Sequence, residues 1–174
     1  MIEQIYLDSA ITRLSYYKML GDKTMEQLTG EQLHWQPDGE PNSIYLIIKH
    51  LSGNMLSRWT DFLTSDGEKP WRDRDTEFEE AEASKENILE LWEKGWTCMI
   101  NALSALQPAD LEKTIYIRNE PHFVIDAINR QLSHVPYHVG QIVYIGKMIK
   151  KDNWQSLSIP KGHSQDFNRE KFGK

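Results

Sequence analysis

Apolar residues recur along most of this chain at intervals of three and four, the spacing that lines one face of an α-helix. Ile2, Ile5, Ile11, Leu14 and Tyr17 form the first such run, with Gly21 where a helix stop is expected. Turn formers at Thr29-Gly30 and again over residues 36–41 interrupt the pattern. Asn42 or Ser43 can cap a second helix, whose stripe is Ile44, Ile47, Ile48, Leu51, Met55, Trp59, Phe62 and Leu63. Residues 64–75 are polar and without period, which predicts a long loop. Thr76 or Ser84 then offers the cap of a third helix carrying Ile88, Leu89, Leu91, Trp92, Trp96, Met99, Ile100, Leu103 and Leu106, ended by Pro108. Residues 114–118 are β-branched and aromatic and read as a short strand or extended piece. A fourth helix is predicted from His122 or Phe123 to Lys150 or Lys151. The tail, residues 152–174, holds Pro160, Gly162 and Gly173 and reads as mostly irregular.

Four long amphipathic helices without a strong strand pattern predict an all-α fold, a four-helix bundle with long loops. The linkers around the third helix are too long for a minimal up-down bundle, so at least one crossover connection is expected. The length fits one domain over residues 1–174. A hydrophobic content of 39% with 26% charged residues excludes a disordered chain. The net charge of −6 argues against a nucleic-acid partner, which is held by Lys and Arg against its phosphates. The basic cluster at 147–151 sits where a helix C-terminus favours cations. Cys98 stands alone, so no disulfide within the chain is expected, and it reads as a small buried hydrophobe. The acidic, weakly apolar N-terminus does not read as a signal peptide. The longest apolar run, 44–48, is too short to span a bilayer. A cytoplasmic protein is the expectation.

The candidate chemistry lies in histidines. His134 and His138 are four apart and share a face if the helix is continuous, so both can reach one metal ion. Alternatively they are ordinary residues beside a kink, since Pro136 between them removes a backbone donor and crowds the carbonyl of Leu132. A helix starting at Pro136 would leave His134 outside it. The apolar pattern Ile125, Ile128, Leu132, Val135, Val139, Ile142, Val143 favours a helix that runs through. His50, at the edge of the second helix's stripe, is the best third ligand, because bundle metal sites are built from facing helices. His34, His122 and His163 have no partner at ligand spacing.

His50, then His134-x-x-x-His138 followed by Gly140-Gln141, resembles the DinB/YfiT-like superfamily of metalloenzyme-like four-helix bundles. More closely, the stretches 50–59, 67–74 and 154–162 look like its Bacillus-type DUF1572 branch, and the resemblance covers nearly the whole chain. It implies a divalent metal held by His50, His134 and His138, zinc or nickel first, with iron or manganese as alternatives. It also implies a homodimer, and for some relatives a transferase or isomerase that uses a low-molecular-weight thiol. Many members carry an acid and an Arg around the second histidine pair. Here Val135 and Val139 stand there, so no mechanism that needs those charges is implied.

A metal with three histidine ligands keeps open positions, which suit either a thiol or a water molecule. No Glu stands between His134 and His138 to act as a base, which ranks a thiol-dependent transferase above a hydrolase; a non-catalytic metal-binding bundle is the third reading. Asn54 and Arg58 follow His50 by one and two turns and are candidates for binding a small-molecule substrate, Arg58 through a carboxylate. The alternative for Arg58 is a surface residue paired with Asp61. Gln141 is a candidate hydrogen-bond partner for a metal ligand.

Overall fold

The computed structural model describes residues 2–37 and 42–173. Four long helices dominate it: α1 (Ile2–Glu26), α3 (Ile44–Trp59), α4 (Lys85–Ser104) and α5 (Val124–Lys150). Between the first two lies the four-residue α2 (Gly30–Leu33), and α6 (Ser164–Phe172) lies near the C-terminus. The all-α expectation holds, with one small addition. Strand β1 (Thr114–Ile117) pairs antiparallel with β2 (Glu120–Phe123), Thr114 facing Phe123 and Ile117 facing Glu120. The two-residue connection, Arg118-Asn119, has positive φ at both positions, the backbone of the tight hairpin turn.

α3 packs against α4 and α5, and α1 packs against the same two helices, so α1 and α3 lie diagonally across the bundle. The connections α1→α3 and α4→α5 therefore both cross the diagonal, in agreement with the expected crossover. One continuous apolar cluster fills the centre, including Leu14, Ile48, Met55, Trp92, Trp96, Ile128 and Val139.

Several boundaries move. Gly21 does not end α1, which runs on to Glu26. A side chain there would meet Trp92, since a Cβ would stand 2.5 Å from Trp92 Cζ2. The glycine is thus a contact residue rather than a stop. α3 ends at Trp59, and Leu63, read as part of its stripe, is exposed. Ser84, not Thr76, caps α4, and Ser43 caps α3; each hydroxyl accepts an N–H of its helix's first turn at 3.2 Å. His122 lies in β2, and α5 starts at Val124. The tail is less irregular than its composition suggests, because α6 occupies its last third. Of the turn cluster 36–41, residues 38–41 lie outside the described residues.

α5 is unbroken through Pro136. A proline in a helix interior costs about 3 kcal/mol. Val135, Val139, Ile128 and Ile142 on the same helix are all fully buried, and anchoring them in the core offsets that cost. His134 and His138 therefore do share one helix.

The polar stretch after α3 is tied down. The Asp66 carboxylate accepts the backbone N–H groups of Glu68, Arg118 and Asn119 at 2.7, 2.8 and 2.7 Å. Gly67 N–H donates to Tyr116 O at 2.8 Å, and Ser57 Oγ donates to Gly67 O at 2.9 Å. The loop is thereby stitched to the hairpin on one side and to α3 on the other.

Trp92 has no room to yield at Gly21: it is 1% exposed and its Nε1 donates to Asp22 Oδ1 at 2.6 Å. Gly21→Ala gains about 1 kcal/mol in helix propensity, but overpacking a rigid contact costs about 1–3 kcal/mol. Urea unfolding is expected to show a net loss of stability. A gain would mean that the α1–α4 contact is loose.

Candidate metal centre

His50 comes from α3 and His134 and His138 from α5, and their rings meet between the two helices. Ring centroids lie 5.2 Å apart for His50–His134, 4.9 Å for His50–His138 and 4.7 Å for His134–His138. One nitrogen from each falls within 4.8 Å of the others, so the three could hold a metal ion. His50 Nε2 and His134 Nε2 face each other at 3.1 Å. Two nitrogens bound tetrahedrally to zinc stand about 3.3 Å apart, given Zn–N bonds of about 2.0–2.1 Å.

Their other nitrogens decide which lone pairs are free. His50 Nδ1 lies 3.0 Å from Glu77 Oε2, and His138 Nδ1 lies 2.8 Å from Gln141 Oε1. Both partners are acceptors, so each Nδ1 carries its proton and each Nε2 presents a lone pair. This is the tautomer a metal requires. His134 Nδ1 is buried without a partner. The donor set and its geometry therefore fit a divalent cation. Gln141 lies within hydrogen-bond distance of His138, three residues before it.

Burial also favours the neutral form of His134 and His138. The His134 pKa is lowered to about 3 by burial, then by His138 and His50, with Arg72 and Arg58 adding to it. That of His138 is lowered by burial and by His50, against the hydrogen bond it donates to Gln141.

Glu77 went unnoticed in the sequence. It is 6% exposed and fixed by two partners, since Arg72 Nε donates to Oε1 at 2.7 Å and Nη2 to Oε2 at 3.0 Å. Burial raises its pKa, but the bonds from His50 and Arg72 outweigh this and hold it below the ordinary carboxylate value. Its place against α3 exists because position 53 is glycine: a Cβ there would stand 2.9 Å from Glu77 Cδ. A short 3-10 turn, Asp75–Phe78, delivers Glu77, and Phe78 stacks on His50 with centroids 5.2 Å apart.

Beside the histidines opens a cavity of about 760 Å³. His50, Asn54 and Arg58 line it from α3, and Arg130, Gln131 and His134 from α5. Among the described residues Arg58 makes no ion pair with Asp61 or any other acid, and its Nη1 is buried without a partner. The surface-pair reading of Arg58 is thus replaced by a half-buried guanidinium on the cavity wall. Val135 and Val139, which stand where many relatives of the resembled family carry charges, are fully buried in the core and do not line the cavity. His122, set aside in the sequence, also lines the cavity, with Nε2 buried and unpartnered. His34 bonds Glu80 at 3.1 Å and the Ala83 carbonyl at 3.0 Å, and His163 lies 3.3 Å from Asp166, so neither joins the cluster. Cys98 is half-buried beside Thr60.

The family model described as "Protein of unknown function (DUF1572)" matches residues 1–163. The chain belongs to the DUF1572 family. No curated protein and no solved structure matches it. For this DUF1572 protein, no helix among the described residues is long and apolar enough to cross a membrane.

Two tests follow from this arrangement. Glu77→Gln removes the charge that orients His50 and leaves Arg72 uncompensated. It is expected to weaken zinc binding by about 10- to 100-fold in chelator competition and to lower stability; unchanged affinity would dismiss the Glu77–His50 bond as an orienting contact. The second test concerns pH in metal-free protein. Between His134's ordinary value of 6.5 and about 3, the unfolded chain takes up a proton that the folded one refuses. Stability must therefore fall as pH falls through that window. His138 acts in the same direction, and Glu77 adds to it below 4.5. A melting temperature that stays flat from pH 6.5 to about 5 would contradict the buried neutral state of these histidines.

Proposed function

We propose that this protein is a metal-dependent enzyme in which His50, His134 and His138 hold a divalent cation, zinc or nickel by preference. The reaction is transfer of a group to a low-molecular-weight thiol. The observation that carries this reading is the convergence of three imidazoles, of which His50 and His134 line a cavity, with the Glu77 carboxylate held on the Nδ1 side of His50. A divalent ion with three neutral ligands keeps its charge and an open position, and lowers the pKa of a thiol or water placed there.

The surrounding residues favour the thiol. Glu77 accepts the Nδ1 proton of His50 and is clamped by Arg72, so it cannot serve as a base on the cavity side. Asp126 is the one acidic residue among the described cavity-lining residues. It lies eight positions before His134, about 12 Å along the helix. A hydrolase that activates water needs a nearby proton acceptor through its transition state. A thiol, with an ordinary pKa near 8.5, gives its proton to solvent far more readily. In the transfer the sulfur attacks an electrophilic carbon, the C–S bond forms, and the leaving group departs with its electron pair. Asn54 and Arg58 are the proposed contacts to the substrate, and Gln141 orients His138.

Protein reconstituted with zinc or nickel is expected to conjugate a small thiol to an electrophilic aryl halide, and His50→Ala to lose both the metal and the turnover. Ester or amide hydrolysis without thiol, at rates above those of thiol conjugation, would overturn the transferase reading. Wild-type protein without stoichiometric metal after reconstitution would overturn the metal centre itself.

A further inference from the structure

The cavity wall is far more cationic than the chain. Five arginines line it, Arg58, Arg72, Arg74, Arg118 and Arg130, against a single acid, Asp126, in a protein of net charge −6. Glu77 neutralises Arg72, and Glu68 pairs with Arg118 at 3.0 Å. Arg58, Arg74 and Arg130 have no ion-pair partner among the described residues. Set against Asp126, they leave an excess of two positive charges on the wall.

Arg58 is the centre of this imbalance. Its guanidinium lies against the Gly67 backbone, where a side chain would meet Arg58 Cδ and Nη1 at 3.1 Å. Nη1 is shielded from solvent with nothing to donate to. Gln131 Nε2, on a side chain only 3% exposed, is an equally buried donor without an acceptor. Asn54 Oδ1 and His122 Nε2 are buried and unpartnered on the same wall, and an amide turned over at Asn54 would present its NH₂. Burial, followed by the charges of Arg130 and Arg72, lowers the Arg58 pKa to about 10. Buried polar groups normally find partners. Two buried unmet donors, Arg58 Nη1 and Gln131 Nε2, on the wall of one cavity are complementary to an oxyanion, which accepts several hydrogen bonds at once and pairs with the planar fork of Arg.

We propose that this part of the cavity binds the oxyanion of a doubly charged small molecule, a dicarboxylate or a phosphate monoester, through Arg58 with Arg130, Gln131 and Asn54. Arg58 lies two turns from His50 and Arg130 one turn from His134, about 12 and 6 Å of helix rise. The anionic group therefore sits a small molecule's length from the histidines. The proposal depends on the metal-centre reading only for where the ligand's reacting end lies; the anion site itself does not require metal.

Isothermal titration of inorganic phosphate and of succinate into metal-free and zinc-loaded full-length protein tests it. One-site binding of either dianion to the metal-free protein is expected, phosphate alone marking a phosphate monoester and succinate alone a dicarboxylate. Arg58→Gln should weaken that binding at least ~10-fold, with the zinc stoichiometry unchanged, while Arg58→Lys, which keeps the charge but loses the fork, weakens it less. Without anion, Arg58→Gln should melt no lower than wild type, because it removes an unpaired half-buried charge. Should that chain fail to fold, Arg130→Gln, on an exposed side chain, carries the same expected loss of affinity. The proposal is overturned if neither dianion binds the metal-free protein, or if the variants bind as tightly as wild type. It is equally overturned if binding needs zinc and ignores Arg58→Gln, which would place the anion on the metal. Anion binding without any zinc uptake would uphold the arginine site while overturning the metal centre.

Discussion

A buried carboxylate, Glu77, accepts hydrogen bonds from Arg72 and His50 at once, and the candidate site is organised around it. Removing any one of the three would leave a charged or polar group stranded away from water, at a cost of several kcal/mol. The contact does more than hold a loop on α3. By fixing the proton on His50 Nδ1 it decides that Nε2 faces His134 with a free lone pair. Local electrostatics in the loop thus sets how His50 is presented between two helices.

The same loop joins the two halves of the cavity. Asp66 and Gly67 bind it to the hairpin, Ser57 binds it to α3, and Glu77, held by Arg72, reaches His50. Its polar composition reads as solvated chain, yet most of its side chains named here are engaged. The acidic surface and the arginine-lined interior of the cavity also have separate origins. The net charge of −6 is a property of the surface as a whole, whereas affinity for a small ligand follows the few charges within reach of it.

What could be read from the sequence followed the range of the interactions. Helical stripes are local, and α3, α4 and α5 appeared at nearly their true extents because three- and four-residue periodicity records which face is buried. The histidine pair was legible for the same reason, and continuity through Pro136 followed from the apolar positions on both sides of it. His50 could be chosen because it sits at a stripe edge. Glu77 could not, since its contact to His50 spans 27 positions and arises in a segment with no period. Gly21 was misread because a glycine that ends a helix and a glycine that admits a tryptophan look alike until the neighbouring helix is in place. Gln131 and His122 acquire meaning only once α5 and the hairpin close the cavity wall.

Gly53 never approaches the histidines' nitrogens, yet it belongs to their machinery. The space left by its missing side chain is what the Glu77 carboxylate occupies. Positions 53 and 77 are therefore not free to vary independently in evolution. A lineage that acquires a side chain at 53 must give up the acid at 77 or move it, and with it the means of orienting His50. One methyl group, three residues along the same helix face, is enough to change how His50 is held.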